Sequence, residues 1–336
     1  AMWAGGLLAL ALLLPVLVVA THHHQPPEAP AVPKPAPPPI AAPNKVAQPP
    51  QVSVYLSKTG QVETLPLEDY VTGVIAAEMP ASFELEALKA QAIAARTFIA
   101  RRLVDNDKSG VPEASAMVTD TVRHQAYISK ASLENWKAKG KSAQLAKLKR
   151  AVLETKNIIL TYKGKPITAS FFSTSNGYTE NSEDYWNVKV PYLRSVASPW
   201  DQKIAPGFKK SVTISRTSLL KKLGLNDQSM PTLATGKSFI QVLSSTVGHR
   251  IDQVSVGGTI FTGREIREKL GLRSSEFSWE AKGDDIILTT YGYGHGVGMS
   301  QWGADGMAKE GYTATQILKH YYTGIEFQQA SKLLKK

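Results

Sequence analysis

The sequence predicts an α+β protein, a mixed and largely antiparallel sheet packed with several helices and preceded by one transmembrane helix. Three observations carry that expectation. Residues 1–20 hold no charged side chain. From Val52 to about Phe327, apolar stripes at helical spacing are interspersed with short alternating runs of strand type. A content of 43% hydrophobic and 20% charged residues is that of an ordinary folded chain, which excludes a wholly disordered, a collagen-like or a multi-span membrane protein.

The elements follow in order from local chemistry. At about 1.5 Å per residue, an apolar helix over residues 1–20 spans roughly the 30 Å hydrocarbon core of a bilayer. The run is also longer than a usual signal-peptide apolar core, so a retained anchor is expected, and charge bias does not set which side of the membrane the rest of the chain occupies. Residues 21–51 hold eleven of the chain's twenty prolines and read as a semi-rigid polyproline spacer. The folded domain is expected at 52–328, with an inserted β-rich part at about 205–290 and a basic tail at 329–336. Val52 to Tyr55 alternates as a strand. Leu67, Tyr70, Val71, Val74 and Ile75 then place a helix over Leu67 to Glu78. Pro80 disfavours helix at Met79, and Ser82 is positioned to cap a second, alanine-rich helix from Phe83 to about Val104. A lysine-rich amphipathic stretch from Lys130 to Asn157 reads as helix, followed by strand patterns at Ile158 to Tyr162 and Ile167 to Ser173. Within the insert, Ser215 caps a short helix that stops at Gly224, and Thr262 with Glu265 forms a capping box for another that stops at Gly271. Thr313 with Gln316 caps a last helix through Tyr322 that buries Ile317, Leu318 and Tyr321.

Lysine and arginine number 39 against 28 aspartate and glutamate, a formal charge of +11 that calls for an anionic neighbour. That neighbour could be nucleic acid, phospholipid or a cell-wall polymer, and location decides among them. The chain has no cysteine, which excludes a disulfide framework, thiolate zinc sites and a cysteine nucleophile. Phosphate-loop, dinucleotide, HExxH and serine-elbow patterns are all missing from the sequence, so no cofactor or metal is expected.

Glu78 stands out because it falls three, four and seven residues after Ile75, Val74 and Val71, continuing an apolar stripe. Desolvation and the negative end of the helix dipole would raise its pKa, as a general acid requires; a capping or ion-paired glutamate is the alternative. Lys89 and Arg96 lie two turns apart on one face of the second helix and either face a cleft or snorkel as ordinary ion-pair partners. Ser173, Ser175, Asn176 and Tyr178 belong to a polar, turn-prone loop with Tyr185 and Trp186 just beyond. Such groups bond sugar hydroxyls and stack on pyranose rings, or simply anchor a loop. From Tyr291 to Gly303, a run containing His295, Ser300 and Gln301, glycine recurs at alternate positions; if extended, one face is bare and a polymer or another backbone can approach. His295 is open to acid–base or structural duty.

These residues also carry a resemblance. The run Tyr70 to Arg102, with Glu78, Met79 and Pro80 and then EALKAQAIAAR from Glu86 to Arg96, resembles the opening signature of the SpoIID/LytB family. FFSTSNGYTENSEDYW, Phe171 to Trp186, resembles its middle block, and YGHGVGMSQWGADGMAKEGYTATQILKHYY, Tyr293 to Tyr322, its closing signature. The resemblance implies a lytic transglycosylase of the engulfing membrane in spore-forming bacteria, acting on peptide-stripped peptidoglycan strands. It implies Glu78 as catalytic acid and base and Lys89 and Arg96 as site residues; placement alone adds Ser173, Ser175, Asn176, Tyr178, His295, Ser300 and Gln301 as substrate contacts. It further implies that the folded domain lies on the extracytoplasmic side of the cell membrane, where the positive charge suits wall teichoic acids, anionic lipid or muramoyl carboxylates and not nucleic acid, and that a stage II sporulation amidase and a membrane scaffold protein are partners. The cysteine-held zinc of some relatives does not transfer to a chain without cysteine. One carboxyl suffices for such an enzyme, because the substrate's own C6 hydroxyl attacks and leaves a 1,6-anhydromuramoyl end. Two rivals remain: a glycan-binding amidase enhancer, as some members of the wider family are described, and a conventional glycosidase using Asp184 or Glu180 as second carboxylate.

Overall fold

The computed structural model describes residues 49–225 and 239–334. The expected anchor and nearly all of the expected spacer lie outside these residues; among the described residues, no helix is long and apolar enough to cross a membrane.

The first strands, β1 (Gln51–Leu56) and β2 (Gln61–Pro66), form an antiparallel hairpin, to which β3 (Val118–Thr119) adds in parallel. β2 runs directly into α1 (Leu67–Glu78), within the bounds its apolar spacing predicts. α2 (Leu85–Asp105) begins two residues later than expected. Ser82 does not cap it: the chain turns once, Phe83 N–H on the Pro80 carbonyl at 3.0 Å, and the first free amide, Glu84 N–H, is taken by Asp305 Oδ1 at 2.7 Å. Alanines at 87, 90, 92, 94, 95 and 100 are all buried, so neighbours crowd α2 from every side. They include α1, α4 (Ser142–Glu154), β4 (Ile158–Tyr162) and the two late helices α9 (Gln301–Lys309) and α10 (Ala314–Tyr321). The stretch expected as one helix from Lys130 is two, α3 (Lys130–Ala138) and α4, parted at Gly140.

β5 (Lys165–Pro166) pairs with β4. The strand expected over Ile167 to Ser173 is realised only as β6 (Phe171–Phe172), because Ser170 N–H bonds back to the Thr168 carbonyl at 2.9 Å and kinks the chain. Short helices α5 (Ser182–Trp186) and α6 (Trp200–Ile204) follow. Next come β7 (Lys209–Ser215), α7 (Arg216–Leu223), β8 (Ile240–Ser245), β9 (Ile251–Val256), β10 (Thr259–Thr262), α8 (Gly263–Leu270), β11 (Phe277–Lys282) and β12 (Asp285–Tyr291). They build two antiparallel sheets, ordered β10-β9-β8 and β11-β12-β7, around an apolar cluster of their own that includes Leu219, Val254, Ile266 and Leu288. Ser215 caps α7, reciprocal capping boxes at Thr262/Glu265 and Thr313/Gln316 open α8 and α10, and Gly224 and Gly271 close α7 and α8 in the left-handed conformation.

β13 (Met299–Ser300) lies parallel to β6, joining the middle and closing blocks of the sequence. β14 (Glu326–Gln329) pairs with β4 and is followed by α11 (Ala330–Leu333), whose Ala330 is buried. The segment assigned to a basic tail thus opens on packed structure.

One close approach sets up the site. A Cβ on Gly73 of α1 would meet the Tyr127 ring at 2.2 Å and the Ile128 carbonyl at 2.7 Å. Only a bare helix surface lets the strap His124–Ile128 lie there, its Ile128 N–H bonded to the Gly73 carbonyl at 3.1 Å. Gly73→Ala is therefore expected to lower stability by roughly 1–3 kcal/mol through overpacking and to push the strap away from Glu78. Urea unfolding checks the first effect, and an unchanged midpoint with full activity would refute both.

Candidate active site

A groove of about 480 Å³ opens where four segments meet: the end of α1, the strap, Thr168–Ser173, and the glycine-rich stretch before β13. Arg267 of α8 and Trp186 of α5 complete its wall. Among the described residues that line it, Glu78 is the one carboxylate.

Glu78 is the last residue of α1, on the stripe the sequence places it on. Ala126 N–H of the strap donates to its Oε1 at 2.8 Å. Burial raises its pKa above the usual glutamate value, against the opposing pull of the Ala126 amide and of Gln301. Two amides flank it. Gln125 is buried and accepts the Tyr70 hydroxyl at 3.0 Å, while its Nε2 and that of Gln301 have no hydrogen-bond partner of ordinary geometry. Both residues line the groove, each carrying a buried amide donor beside the Glu78 carboxyl.

His295 is held neutral. Its Nδ1 accepts Val297 N–H at 3.0 Å, which puts the proton on Nε2, facing the Phe171 carbonyl. Burial, with Arg267 and Arg250 nearby, pushes its pKa down to about 3. The rings of Phe172, Tyr185 and Trp186 stand 5.6–5.7 Å from it. It forms part of an aromatic wall, where burial disfavours its charged form.

Glu78, Ser173, Trp186, His295 and Gln301 share the groove; the other candidate site residues lie elsewhere. Ser175 and Ser300 are sealed from solvent, Ser175 N–H donating to Asp201 Oδ1 at 2.8 Å and the Ser300 hydroxyl to the same oxygen. Asn176 Nδ2 donates to the Gly248 carbonyl at 2.9 Å, and Tyr178 packs on His249 with ring centres 4.4 Å apart. Lys89 bridges Glu86 and Glu154 at 2.7 and 2.5 Å. Arg96, fully buried, forks onto Glu68 at 2.6–3.1 Å and donates to the carbonyls of Val152 and Ile158, tying α1, α4 and β4 together. Neither borders the groove. The alternate glycines do not make an extended bare face either. Gly292, Gly294, Gly296 and Gly298 all have positive φ, and a Cβ on Gly298 would meet the Ser170 carbonyl oxygen at 2.0 Å. Their bareness admits a neighbouring backbone, and the amides of Gly292, Tyr293, Gly294 and Met299 are already bonded within the protein. Glu180 pairs with buried Arg250 at 3.3 Å and, with Asp184, lines a separate cavity of about 110 Å³.

Gln125, Ala126 and Arg267 escaped the sequence reading. Gln125 and Ala126 sit in a strap without periodicity, so no spacing marks them. Arg267 lies on an insert helix that nothing local connects to Glu78.

The arrangement is that of an α+β protein with a single raised-pKa carboxyl in a groove walled by amides, hydroxyls and aromatic rings. A family model described as stage II sporulation protein matches residues 55–162, which hold Glu78 and the strap. Stage II sporulation protein D of Bacillus subtilis is 48% identical over 290 residues, covering 86% of this chain and 82% of its own. The protein of that name from Bacillus amyloliquefaciens is 46% identical over 296 residues, covering 88% of this chain and 84% of its own. The chain belongs to the stage II sporulation protein D family. It also resembles a longer Bacillus subtilis protein named amidase enhancer, 30% identical over 303 residues, covering 75% of this chain and 39% of that one.

Two outcomes follow. Removing Arg96 takes the buried cation from Glu68 and unties α1 from α4 and β4, so Arg96→Ala is expected to cost about 3–5 kcal/mol in urea unfolding; a cost below about 1 kcal/mol would mean that the pair behaves as an exposed one. For Glu78 the folded-state pKa is raised, so the folded state is favoured while the group is protonated and loses that advantage as pH rises through the folded pKa. Glu78→Gln should therefore gain in Tm over the parent as pH rises from 4 to 8. A Tm difference that does not change with pH would mean the carboxyl is solvated.

Proposed function

We propose that the chain is a membrane-anchored lytic transglycosylase that cleaves peptidoglycan strands outside the cell membrane during sporulation. The observation that carries this reading is the solitary, desolvated Glu78 carboxyl in a groove of saccharide size. Hydrolysis usually takes two carboxylates on opposite sides of the scissile bond; Glu180 and Asp184 lie outside this groove. With one carboxyl, Glu78 first donates its proton to the glycosidic oxygen as the bond to the anomeric carbon breaks. The muramoyl C6 hydroxyl then bonds to that carbon, and the Glu78 carboxylate takes the hydroxyl proton. The cut strand ends in a 1,6-anhydro ring and Glu78 is protonated again. Gln125 and Gln301 would hold oxygens of the sugars, and Trp186 would stack on a ring. The apolar run at residues 1–20 supports the anchor, and kinship to the sporulation proteins supports the setting. Peptide-stripped strands as substrate, with a stage II amidase and a membrane scaffold protein as partners, belong to the same reading.

The relative named amidase enhancer favours a second reading, a glycan-binding protein that stimulates a cell-wall amidase without cutting. Incubating the protein with peptide-stripped glycan and examining the products by mass spectrometry separates the two. Anhydro ends are expected, and Glu78→Gln should slow their release by about 10²–10⁴-fold while glycan still binds. Reducing ends would indicate a conventional hydrolase. Binding without products, accompanied by faster amidase turnover, would establish the enhancer.

A further inference from the structure

Arg267 comes from the insert, yet lines the same groove as Glu78. Its guanidinium is fixed at two points: Nη1 donates to the Tyr185 hydroxyl at 2.9 Å and Nε to the Arg273 carbonyl at 3.3 Å. Neither acceptor carries a charge. Among the described residues no carboxylate pairs with Arg267, for Glu180 is taken by Arg250 at 3.3 Å and Glu268 by Arg264 at 2.8 Å. Beside it, Tyr185, Trp186 and His295 form a cluster of rings whose centres are 5.6–6.2 Å apart, and His295 is uncharged. The groove thus holds a partly buried, oriented guanidinium with open donors and no counter-ion, next to rings on which a sugar can stack. Such a fork is completed by a planar carboxylate.

We propose that Arg267 sets the specificity of the groove by binding the carboxylate of an acidic sugar, namely the lactyl carboxylate of a muramoyl residue whose peptide has been removed. This rests on the glycan reading above and adds to it a residue and a chemical group. In a peptide-bearing strand the same lactyl group is an amide: it has lost its charge and one acceptor oxygen, and it turns an N–H toward a donor. Arg267 then gains one neutral hydrogen bond at best. A chitin oligomer, which has no lactyl group, offers it nothing.

Binding is the readout, so that the chemistry of cutting does not enter. The full chain carrying Glu78→Gln is titrated by calorimetry with three oligosaccharides of equal length: peptide-free peptidoglycan glycan, the same glycan with its carboxylates converted to methylamides, and an N-acetylglucosamine oligomer. The free-carboxylate form is expected to bind about tenfold tighter than the other two, as a charge-assisted hydrogen bond implies, with the preference shrinking as salt is raised. Adding Arg267→Gln should bring the three ligands to equal affinity at the level of the amide form. Arg267→Lys, which keeps the charge and loses the fork, should retain part of the preference and guards against a folding defect in the glutamine variant. Equal binding of carboxylate and amide forms with Arg267 in place, or a preference that survives Arg267→Gln, overturns the proposal and leaves the glycan reading standing. No binding of any of the three overturns both.

Discussion

The groove depends on one carboxylate that never meets the solvent. Asp201, at the start of α6, is buried completely. Its Oδ1 accepts Ser175 N–H and the Ser300 hydroxyl, and its Oδ2 accepts the Ser198 hydroxyl at 2.7 Å. Ser198 in turn meets the Tyr321 hydroxyl at 2.7 Å. Four segments far apart in sequence are thereby pinned to one point: the middle loop, the α6 turn, the N-cap of α9, and α10. Burial raises the Asp201 pKa while these donors pull it back. A carboxylate is tolerable there only because its lone pairs are used. The same bonds fix Gln301, the first residue of α9, and with it one side of the Glu78 pocket.

The pKa of Glu78 is raised by a similar economy of contacts. The stripe of α1 carries it inward, Gly73 lets the strap close over it, and the strap supplies a single amide. A carboxylate given two or three backbone donors would sit firmly charged. With one donor and two side-chain amides at hand, desolvation remains the larger influence and the proton is held more tightly. The site is poised because it is under-supplied with hydrogen bonds to the charged form.

How much of this could be read beforehand follows from the range of each interaction. Helix bounds, capping boxes and glycine stops are decided within a few residues, and α1, α7, α8 and α10 emerge from the sequence much as they stand in the fold. Glu78 was visible for the same reason, since its anomaly lies in the phase of its own helix. Ser82 failed as a cap because the amide it would have served is taken by Asp305, more than two hundred residues on. Ser175 and Ser300 looked like sugar ligands because a hydroxyl in a polar loop carries no mark of where it points; their partner Asp201 lies 26 and 99 residues away. Arg96 takes the ion-pair alternative and not the cleft-facing one that the family resemblance implied, a choice its spacing left open because a buried arginine and a cleft-facing one share the same helical face. The alternate glycines signalled close approach and left its object open between a polymer and another backbone; the neighbours are the protein's own, the Thr174 and Ser170 carbonyls at Gly292 and Gly298 and the Phe172 and Arg250 side chains at Gly294 and Gly296.

The insert is tied into the electrostatics of the site, and that tie argues against regarding it as a decoration. Arg250, between β8 and β9, passes beneath Gly296, where any Cβ would lie 2.6 Å from its Nε, and comes within 5.9 Å of the Phe172 ring centre. Burial raises the carboxyls of Glu180 and Glu276, to about 7 even with Arg250 drawing both down. Removing the insert would leave Glu180 of the main domain as a buried carboxyl without its cation. Arg250 and Arg267, both from the insert, also help hold His295 uncharged, and only an uncharged ring can serve as an apolar wall beside Trp186. The groove is therefore a joint product of two apolar cores. The main core supplies the Glu78 carboxyl and the insert supplies the cations, so a change in how the insert packs would alter the electrostatic field of the groove without touching Glu78.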